Sequence, residues 1–266
     1  MTGRSFMLRR VQGFIVLLLV VGLWLAPGVT QAGVVTVRAD EWCPYNCAPD
    51  AAKPGYMIEV LKLIFAKAGH TVDYQQMNWA RSIEEARIGK ITAIVGAVVS
   101  DAEDLVYPKN AFGMSANGFC LRQGEKWSYR GVKSFDGKVL GVIRDYSYDD
   151  EEIDGYIEAN KKNDKKIQIS SGENALELSL RKLAKGRVDL VIDDSAVLQG
   201  TVQDLGLAGE LSCAASGEPD PVYVAFSPKD PKAKEYAALF DKGIEELRRD
   251  GTLKKILAGY GLHDWK

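Results

Sequence analysis

Residues 173–197 read ENALELSLRKLAKGRVDLVIDDSAV, and this stretch predicts an α/β fold. Leu176, Leu180 and Leu183 recur at helical spacing, which predicts an amphipathic helix that ends at Gly186. The apolar run VDLVI that follows is typical of a buried strand. A helix that leads directly into a buried strand is the repeating unit of α/β proteins.

Polar residues stand at both ends of this unit. Ser170 precedes Glu173 by three residues, the spacing of a capping box, so we expect the helix to begin there. The strand ends in Asp193 and Asp194. Because open α/β sheets bind ligands at the carboxyl ends of their strands, these two carboxylates are candidates for a ligand site.

An earlier stretch repeats the pattern. Residues 81–97 read RSIEEARIGKITAIVGA, which again predicts a helix, a terminating glycine (Gly89) and a buried strand. Any α/β protein repeats such units, so two interpretations stay open. The unit is repeated within one sheet, or two similar α/β lobes face each other.

The first 32 residues differ in composition from the rest. Three arginines precede an apolar run over residues 14–26, and the sequence TQA at 30–32 offers a small-x-small cleavage site. This pattern predicts a cleaved signal peptide over residues 1–32 and a mature protein in the periplasm. A membrane anchor is the alternative, but the apolar run is short for a bilayer span.

The remaining composition is that of a globular protein. With 46% hydrophobic residues, 26% charged residues and a net charge of −2, the chain can build a core and has no excess of basic residues. We therefore expect no nucleic-acid partner.

Four cysteines suit an oxidising compartment. The simplest of the three possible pairings joins Cys43 to Cys47 and Cys120 to Cys213, and two free thiols in the second pair are the alternative. Only two histidines could join the sulfurs at a zinc site, so no metal is expected.

Strand-like and helix-like segments alternate along the chain. We expect strands at 34–40 and 71–77 with an amphipathic helix at 56–68 between them, the order of a parallel α/β sheet. Residues 101–118 show no period and are expected to be a connection. We expect further strands and helices after this connection, and a helical tail from Pro231 onward.

Five segments carry a resemblance to a known family, and their order and spacing are its strongest feature. They are GYMIEV from Gly55, GKITAI from Gly89, FDGKVLGVI from Phe135, GRVDLVIDD from Gly186 and IEELRRDGTLKKI from Ile244. Together they resemble the extracellular solute-binding proteins of family 3, the amino-acid-binding partners of ABC importers. The resemblance covers nearly the whole chain after residue 32.

The resemblance implies a type II periplasmic-binding-protein fold, in which two α/β lobes are joined by two crossover strands. Lobe 1 would comprise residues 33–115 and 222–266, and lobe 2 residues 116–221. It also implies a monomer that closes on a small polar ligand and then contacts the membrane subunits of an ABC importer. No cofactor and no enzymatic activity are expected.

The resemblance also assigns candidate ligand-binding residues. Asp194 matches the family's acid that takes a ligand's ammonium group, and Asp193 is expected to be structural. Family members hold a ligand carboxylate with an arginine in a Thr-x-x-Arg pattern, where this chain has Ser100 followed by DAED, and Ser100 is a candidate ligand contact at this position. Arg81 and Arg144 are the candidates to replace that arginine. The absence of the family's usual arginine argues against a plain α-amino acid as the ligand.

Aromatic residues and a helix start complete the candidate site. Tyr146 and Ser147 stand where family members offer backbone N–H groups to a ligand carboxylate, and Ser147 is alternatively a helix N-cap. Trp42 and Tyr45 are expected over the ligand, or else around a disulfide in the same loop. Trp79, at a predicted helix start, is a further candidate.

Two other functions stay open on the same fold. One is a periplasmic dehydratase of the cyclohexadienyl or arogenate type, in which Glu173 would protonate a leaving hydroxyl. The other is a ligand-sensing module for a membrane receptor. Glu173 is alternatively a cleft acid that contacts the ligand of a binding protein.

Overall fold

Two five-stranded sheets form in the part of the chain that this computed structural model describes, residues 33–148 and 150–266. The strands of the first sheet are β1 (Val34–Ala39), β2 (Thr71–Gln76), β3 (Ala93–Ala97), β4 (Gly113–Ser115) and β10 (Asp220–Phe226). β1 lies between β2 and β3 and is parallel to both, whereas β10 is antiparallel to β3 and to β4. The strand order is therefore β2-β1-β3-β10-β4.

The second sheet repeats this arrangement. Its strands are β5 (Asn117–Arg122), β6 (Leu140–Ile143), β7 (Ile167–Ser170), β8 (Leu190–Asp194) and β9 (Leu211–Ala215). β6 lies between β7 and β8 and is parallel to both, and β5 returns antiparallel between β8 and β9. Of the two interpretations of the repeated unit, this favours two similar α/β halves over one continuous sheet.

Seven α-helices flank the sheets in the described residues. Those beside the first sheet are α1 (Tyr56–Lys67), α2 (Trp79–Arg87), α6 (Ala233–Arg249) and α7 (Thr252–Gly259), and those beside the second are α3 (Glu151–Asn160), α4 (Ala175–Ala184) and α5 (Ser195–Asp204). Each sheet thus has its own helical cover, as expected for parallel strands whose faces are buried.

The chain passes between the sheets twice. It leaves the first sheet after Ser115 and enters the second at Asn117, and it returns between Ala215 and Asp220. A single residue, Ala116, joins β4 to β5. These passages are the two crossover strands of the predicted fold class, and they connect the halves without a long linker.

The helix–glycine–strand unit forms in both places. Gly89 follows α2 and Gly186 follows α4, with φ of 80° and 68°. Glycine adopts this left-handed region at little cost, which is why it ends helices so often. Leu180 and Leu183 of α4 are fully buried, so the predicted apolar face of the helix packs inward.

The predicted start of α4 is wrong, and so is the alternative role of Ser147 as a helix N-cap. α4 begins at Ala175, and Ser170 makes no capping box because it is the last residue of β7 and its Oγ hydrogen-bonds Ser179 Oγ at 3.0 Å. Ser147 does not cap α3. Asp150 does so instead, with its side chain accepting from the first amides of that helix.

Two elements were absent from the sequence prediction. Strand β4 lies in the stretch 101–118 that lacks a period, and it forms by pairing with β10, about 100 residues away. Helix α5 contains Gly200 and several β-branched residues, which lower helix propensity. Its start is nevertheless stabilised because the Asp194 carboxylate accepts hydrogen bonds from Ala196 N and Val197 N.

Both predicted disulfides are present. Cys43 pairs with Cys47 in the loop after β1, and Cys120 pairs with Cys213 directly across from it on β5 and β9. No cysteine among the described residues is free. The second bridge fastens an edge strand to its neighbour across 93 residues of sequence.

The predicted signal peptide, residues 1–32, lies outside the described residues. Within the described ranges, no helix has both the length and the apolar composition that a bilayer crossing requires.

The disulfides differ in the chain length that they close, and this predicts their contributions to stability. We expect the double substitution C120S/C213S to lower the free energy of unfolding by about 3–5 kcal/mol, because it frees a loop of 93 residues in the unfolded state. The matched control C43S/C47S opens a separation of only 4 residues, so its effect should be roughly 2–3 kcal/mol smaller. Urea unfolding curves measure both, and equal losses would contradict the loop-length argument.

Candidate functional site

A cavity lies where the carboxyl ends of strands from both sheets meet. Five aspartates from different segments of the chain line this cavity: Asp40, Asp101, Asp193, Asp194 and Asp220. Four aromatic residues also line it: Trp42, Trp79, Tyr146 and Tyr148. No lysine or arginine is among the described lining residues. Such an edge is the expected ligand position in an open α/β sheet, and this one is strongly acidic.

The carboxylate of Asp194 accepts hydrogen bonds from several parts of the protein. Its Oδ1 accepts hydrogen bonds from the first amides of α5, and its Oδ2 accepts from Tyr45 Oη (3.1 Å), Ser115 Oγ (3.0 Å) and Ala116 N (3.1 Å). The carboxylate therefore joins a helix start, a crossover strand and the loop after β1. All of its lone-pair positions are in use.

In the neighbouring residue, Asp193, only one of the two carboxylate oxygens accepts hydrogen bonds. Its Oδ1 accepts from Trp42 Nε1 at 2.8 Å and from Asp194 N at 2.7 Å, whereas its Oδ2 has no partner among the described residues. The residue is 1% exposed. This division is the opposite of the one expected from the sequence, because Asp194 has the structural contacts and Asp193 has the unused oxygen.

A second unused acceptor lies in the loop after β1. Asn46 is fully buried, and its Nδ2 donates to Asp40 O at 2.7 Å, while its Oδ1 has no partner in the described part of the chain. Asn46 Oδ1 faces Gly96, since a Cβ built on that glycine would lie 3.2 Å from it. Asn46 and Gly96 both line the cavity.

Two further carboxylates bridge the sheets. Tyr146 follows β6 of the second sheet, and Asp40 follows β1 of the first. The hydroxyl of Tyr146 donates a hydrogen bond to Asp40 Oδ2 at 2.5 Å. Asp101 Oδ1, after β3, accepts from Ser147 N at 2.9 Å, and Asp101 Oδ2 accepts from Val98 N at 3.2 Å. The amide of Ser147 was expected to face a ligand carboxylate, and it is instead bonded to a carboxylate of the chain.

The structure brings five of the ten predicted binding residues to the cavity, and a sixth stands behind them. The five are Trp42, Trp79, Tyr146, Ser147 and Asp194. Tyr45 stacks on Trp42 with ring centroids 4.2 Å apart and reaches Asp194 from behind. Ser100 is exposed at the rim, where its Oγ lies 2.9 Å from Ser147 Oγ.

The other three predicted residues do not line this cavity. Arg81 has a 68% exposed side chain and pairs with Glu85 at 2.8 Å along its own helix, and Arg144 is exposed after β6. Glu173 is exposed beside a neighbouring cavity that shares Asp40 and Tyr146. Neither arginine is therefore placed as the predicted carboxylate clamp, because a helical turn or strand end directs each one to solvent.

Sequence reasoning missed Asp40, Asn46 and Asp101 as members of the site, and it assigned Asp193 a structural role. The sequence does carry a signal for Asp40. This residue directly follows the predicted first strand, in the same way that Asp193 and Asp194 end β8. Asp101 was noted only as part of the segment that replaces an arginine. Asn46 carries no local signal, because only the fold of its loop turns it toward β3.

Burial raises the pKa of four of these carboxyl groups, Asp194 among them. Removal from water raises the pKa of Asp40 to about 7, that of Asp101 to about 7 and that of Asp193 to about 8, from 3.8 in each case. Hydrogen bonds from neighbouring donors oppose the shift in each case without cancelling it. The site therefore holds carboxylates that a bound cation would stabilise.

A two-sheet α/β protein with a polar cavity at the facing strand ends is a small-molecule binding protein in its architecture. The sequence matches the bacterial extracellular solute-binding proteins, family 3, over residues 34–263. The chain belongs to that family, and its role is the binding of a solute outside the cytoplasm.

Individual relatives agree with this assignment. The chain is 26% identical over 221 residues to the probable amino-acid-binding protein YxeM of Bacillus subtilis (strain 168), a match that covers 82% of this chain and 79% of YxeM. The structure of an ancestral arginine-binding protein bound to arginine aligns with a TM-score of 0.70 at 20% identity, over 86% of this chain and 98% of that one. A histidine kinase sensor domain with similarity to periplasmic binding proteins aligns with a TM-score of 0.69 at 19% identity, over 88% and 98%. The structural likeness establishes the shared type II fold.

The contrast between the two adjacent aspartates predicts opposite effects on stability. We expect D194N to lower the free energy of unfolding by about 2–3 kcal/mol, because an amide NH₂ would face donors that now bond an oxygen. We expect D193N to raise it by about 1–3 kcal/mol at pH 8, because it removes a buried charge with an unpaired oxygen. Urea unfolding of the ligand-free protein measures both, and destabilisation by D193N would contradict the assignment of the free oxygen.

The raised pKa values also predict how stability depends on pH. Asp40, Asp101 and Asp193 lose their protons near pH 4 in the unfolded chain but near pH 7–8 in the folded protein. The folded state therefore binds more protons across this window, and stability should fall by several kcal/mol as pH rises from about 4 to about 8. Unfolding curves at pH 5 and pH 8 test this, with D193N expected to flatten the slope. Stability that is constant or rises over the window would be inconsistent with three buried acids.

Proposed function

We propose that this protein captures a small polar solute by closing two lobes around the cavity, and that the membrane subunits of an ABC importer then receive it. Lobe 1 comprises residues 33–115 and 222–266, and lobe 2 residues 116–221. The mature protein acts in the periplasm, in keeping with the predicted signal peptide over residues 1–32.

The supporting observation is a set of hydrogen bonds that cross the cavity. Trp42 Nε1 donates to Asp193, and Tyr45 Oη donates to Asp194, each from the loop after β1 to the end of β8. Bonds of this kind form only when the two halves approach each other. They support a closed state around the cavity, and opening would require them to break and admit water.

The short crossovers support the same mechanism. Ala116 joins the sheets on one side and residues 216–219 join them on the other, so few backbone dihedrals need to change for the halves to rotate. Hinges in domain-closure proteins are such element-terminal positions. The binding residues Trp42, Trp79 and Tyr146 would be supplied by both lobes.

The dehydratase alternative gains no support from the contacts. Its candidate acid, Glu173, is exposed and lies outside the cavity described above. The sensor alternative uses the same capture step, so it differs from transport only in the membrane partner.

The proposal predicts that a solute stabilises and compacts the protein. We expect at least one member of a panel of amino acids, amines and small carboxylates to raise the melting temperature by about 5–10 °C at roughly 100 times its Kd. We expect the same solute to lower the radius of gyration measured by small-angle X-ray scattering. A complete panel without either response would count against solute capture.

A matched pair of tyrosine substitutions tests the closing contacts. Y146F removes the hydroxyl that donates to Asp40, so the affinity for the stabilising solute should fall about tenfold. Y156F removes a hydroxyl on α3, outside the cavity, and should leave the affinity unchanged. Isothermal titration calorimetry provides the two values, and equal affinities would remove the closing role of Tyr146.

A further inference from the structure

The cavity has no group that could neutralise an anionic ligand. Its described lining holds five aspartates and no lysine or arginine. Arg81 is paired with Glu85 on the surface, and Arg144 is exposed away from the cavity. A ligand carboxylate would have to lie beside these carboxyl groups with no cation to balance its charge, which raises its cost of binding.

The backbone amides suited to a carboxylate are already occupied. Ser147 N donates to Asp101 Oδ1 and Val98 N donates to Asp101 Oδ2, so one side chain of the protein fills this position from both sheets. A ligand carboxylate would have to displace Asp101 or lie against it. Either arrangement places two carboxylates within contact distance.

Two buried hydrogen-bond acceptors favour a ligand that carries hydrogen-bond donors and a positive charge. Asp193 Oδ2 and Asn46 Oδ1 have no hydrogen-bond partner in the described residues, and the two residues are 1% and 0% exposed. Buried acceptors without donors are rare, because burial removes the water that would otherwise bond them. A cation that carries N–H donors would satisfy both oxygens, and its positive charge would favour the ionised form of Asp193.

The aromatic walls narrow the class of cation. Trp42, Trp79 and Tyr146 line the cavity, and aromatic faces attract cations and cover methylene groups. A quaternary ammonium would use these faces, but it has no N–H to give to Asp193 Oδ2 or Asn46 Oδ1. A primary ammonium or an amidinium-type group satisfies both requirements.

The space is small. The cavity volume is about 50 Å³ in this closed arrangement. One buried water needs roughly 10–15 Å³ by the same measure, so the enclosed part of the ligand is a few non-hydrogen atoms. A short amine fits this better than a large side chain with its own backbone groups.

Resting on the solute-binding function proposed above, we infer that the ligand is a compact organic cation with N–H donors and without a carboxylate, such as a primary amine or diamine. Its ammonium bonds Asp193 Oδ2 and Asn46 Oδ1. Asp101 selects against α-amino acids by occupying the two amides that would hold their carboxylate.

Matched ligand pairs test this inference by isothermal titration calorimetry. Each pair shares a carbon chain and differs by one carboxylate: putrescine with 4-aminobutanoate, cadaverine with lysine, and agmatine with arginine. We expect the amine of at least one pair to bind ten times or more tightly than its carboxylate partner.

The outcomes separate this inference from the proposed function. A carboxylate member that binds as tightly as its amine, or another panel solute that binds when no amine does, overturns the inference and leaves solute capture intact. A protein that no solute stabilises overturns both.

Substitutions identify the residues responsible. D193N should weaken binding of the preferred amine at least tenfold, whereas D164N, on an exposed turn, should not change it. D101A frees the amides of Ser147 and Val98, so the preference for amine over carboxylate should shrink at least tenfold. If D101A does not fold, D101N removes the charge while keeping the shape, and the preference should shrink in the same direction. An unchanged preference in the folded variant refutes the role of Asp101.

Discussion

The position of the two sheets depends on the carboxylate of Asp194. A buried carboxylate must be surrounded by donors, and here they come from three separate segments: the start of α5, the crossover at Ser115 and Ala116, and Tyr45 in the loop after β1. Because one side chain satisfies all of them, the crossover, the helix and the loop are held together as long as these hydrogen bonds remain formed. In the closed arrangement the edge at which the cavity forms is therefore held at a defined width.

The neighbouring carboxylates accept fewer hydrogen bonds than Asp194, although burial raises the pKa of Asp194 as well. Asp40, Asp101 and Asp193 are desolvated more strongly than their hydrogen bonds can offset, which raises the pKa of each one. A structure optimised for stability alone would not bury three acids around a common space. Local destabilisation of this kind is typical of functional sites, where a ligand provides the missing interactions.

Several features of the fold and site were predictable from local sequence. The leucine spacing of α4, the glycines after α2 and α4, and the apolar runs of β3 and β8 are short-range signals, and each one appears in the structure. The pairing of the four cysteines was the simplest choice and is present. Prediction failed for β4 and for the start of α4, where pairing with a distant strand and hydrogen bonds from the preceding strand decide the conformation.

Local sequence patterns define the fold class, the family and the placement of acids at strand ends, because periodicity and strand termini are encoded over a few residues. Which acid keeps an unused oxygen depends instead on contacts between distant parts of the chain. Trp42 and Tyr45 reach Asp193 and Asp194 across 151 and 149 residues of sequence, so no local pattern distinguishes the two aspartates. Only folding brings the donors together, and the number of donors that reach each carboxylate decides whether an oxygen remains available to a ligand.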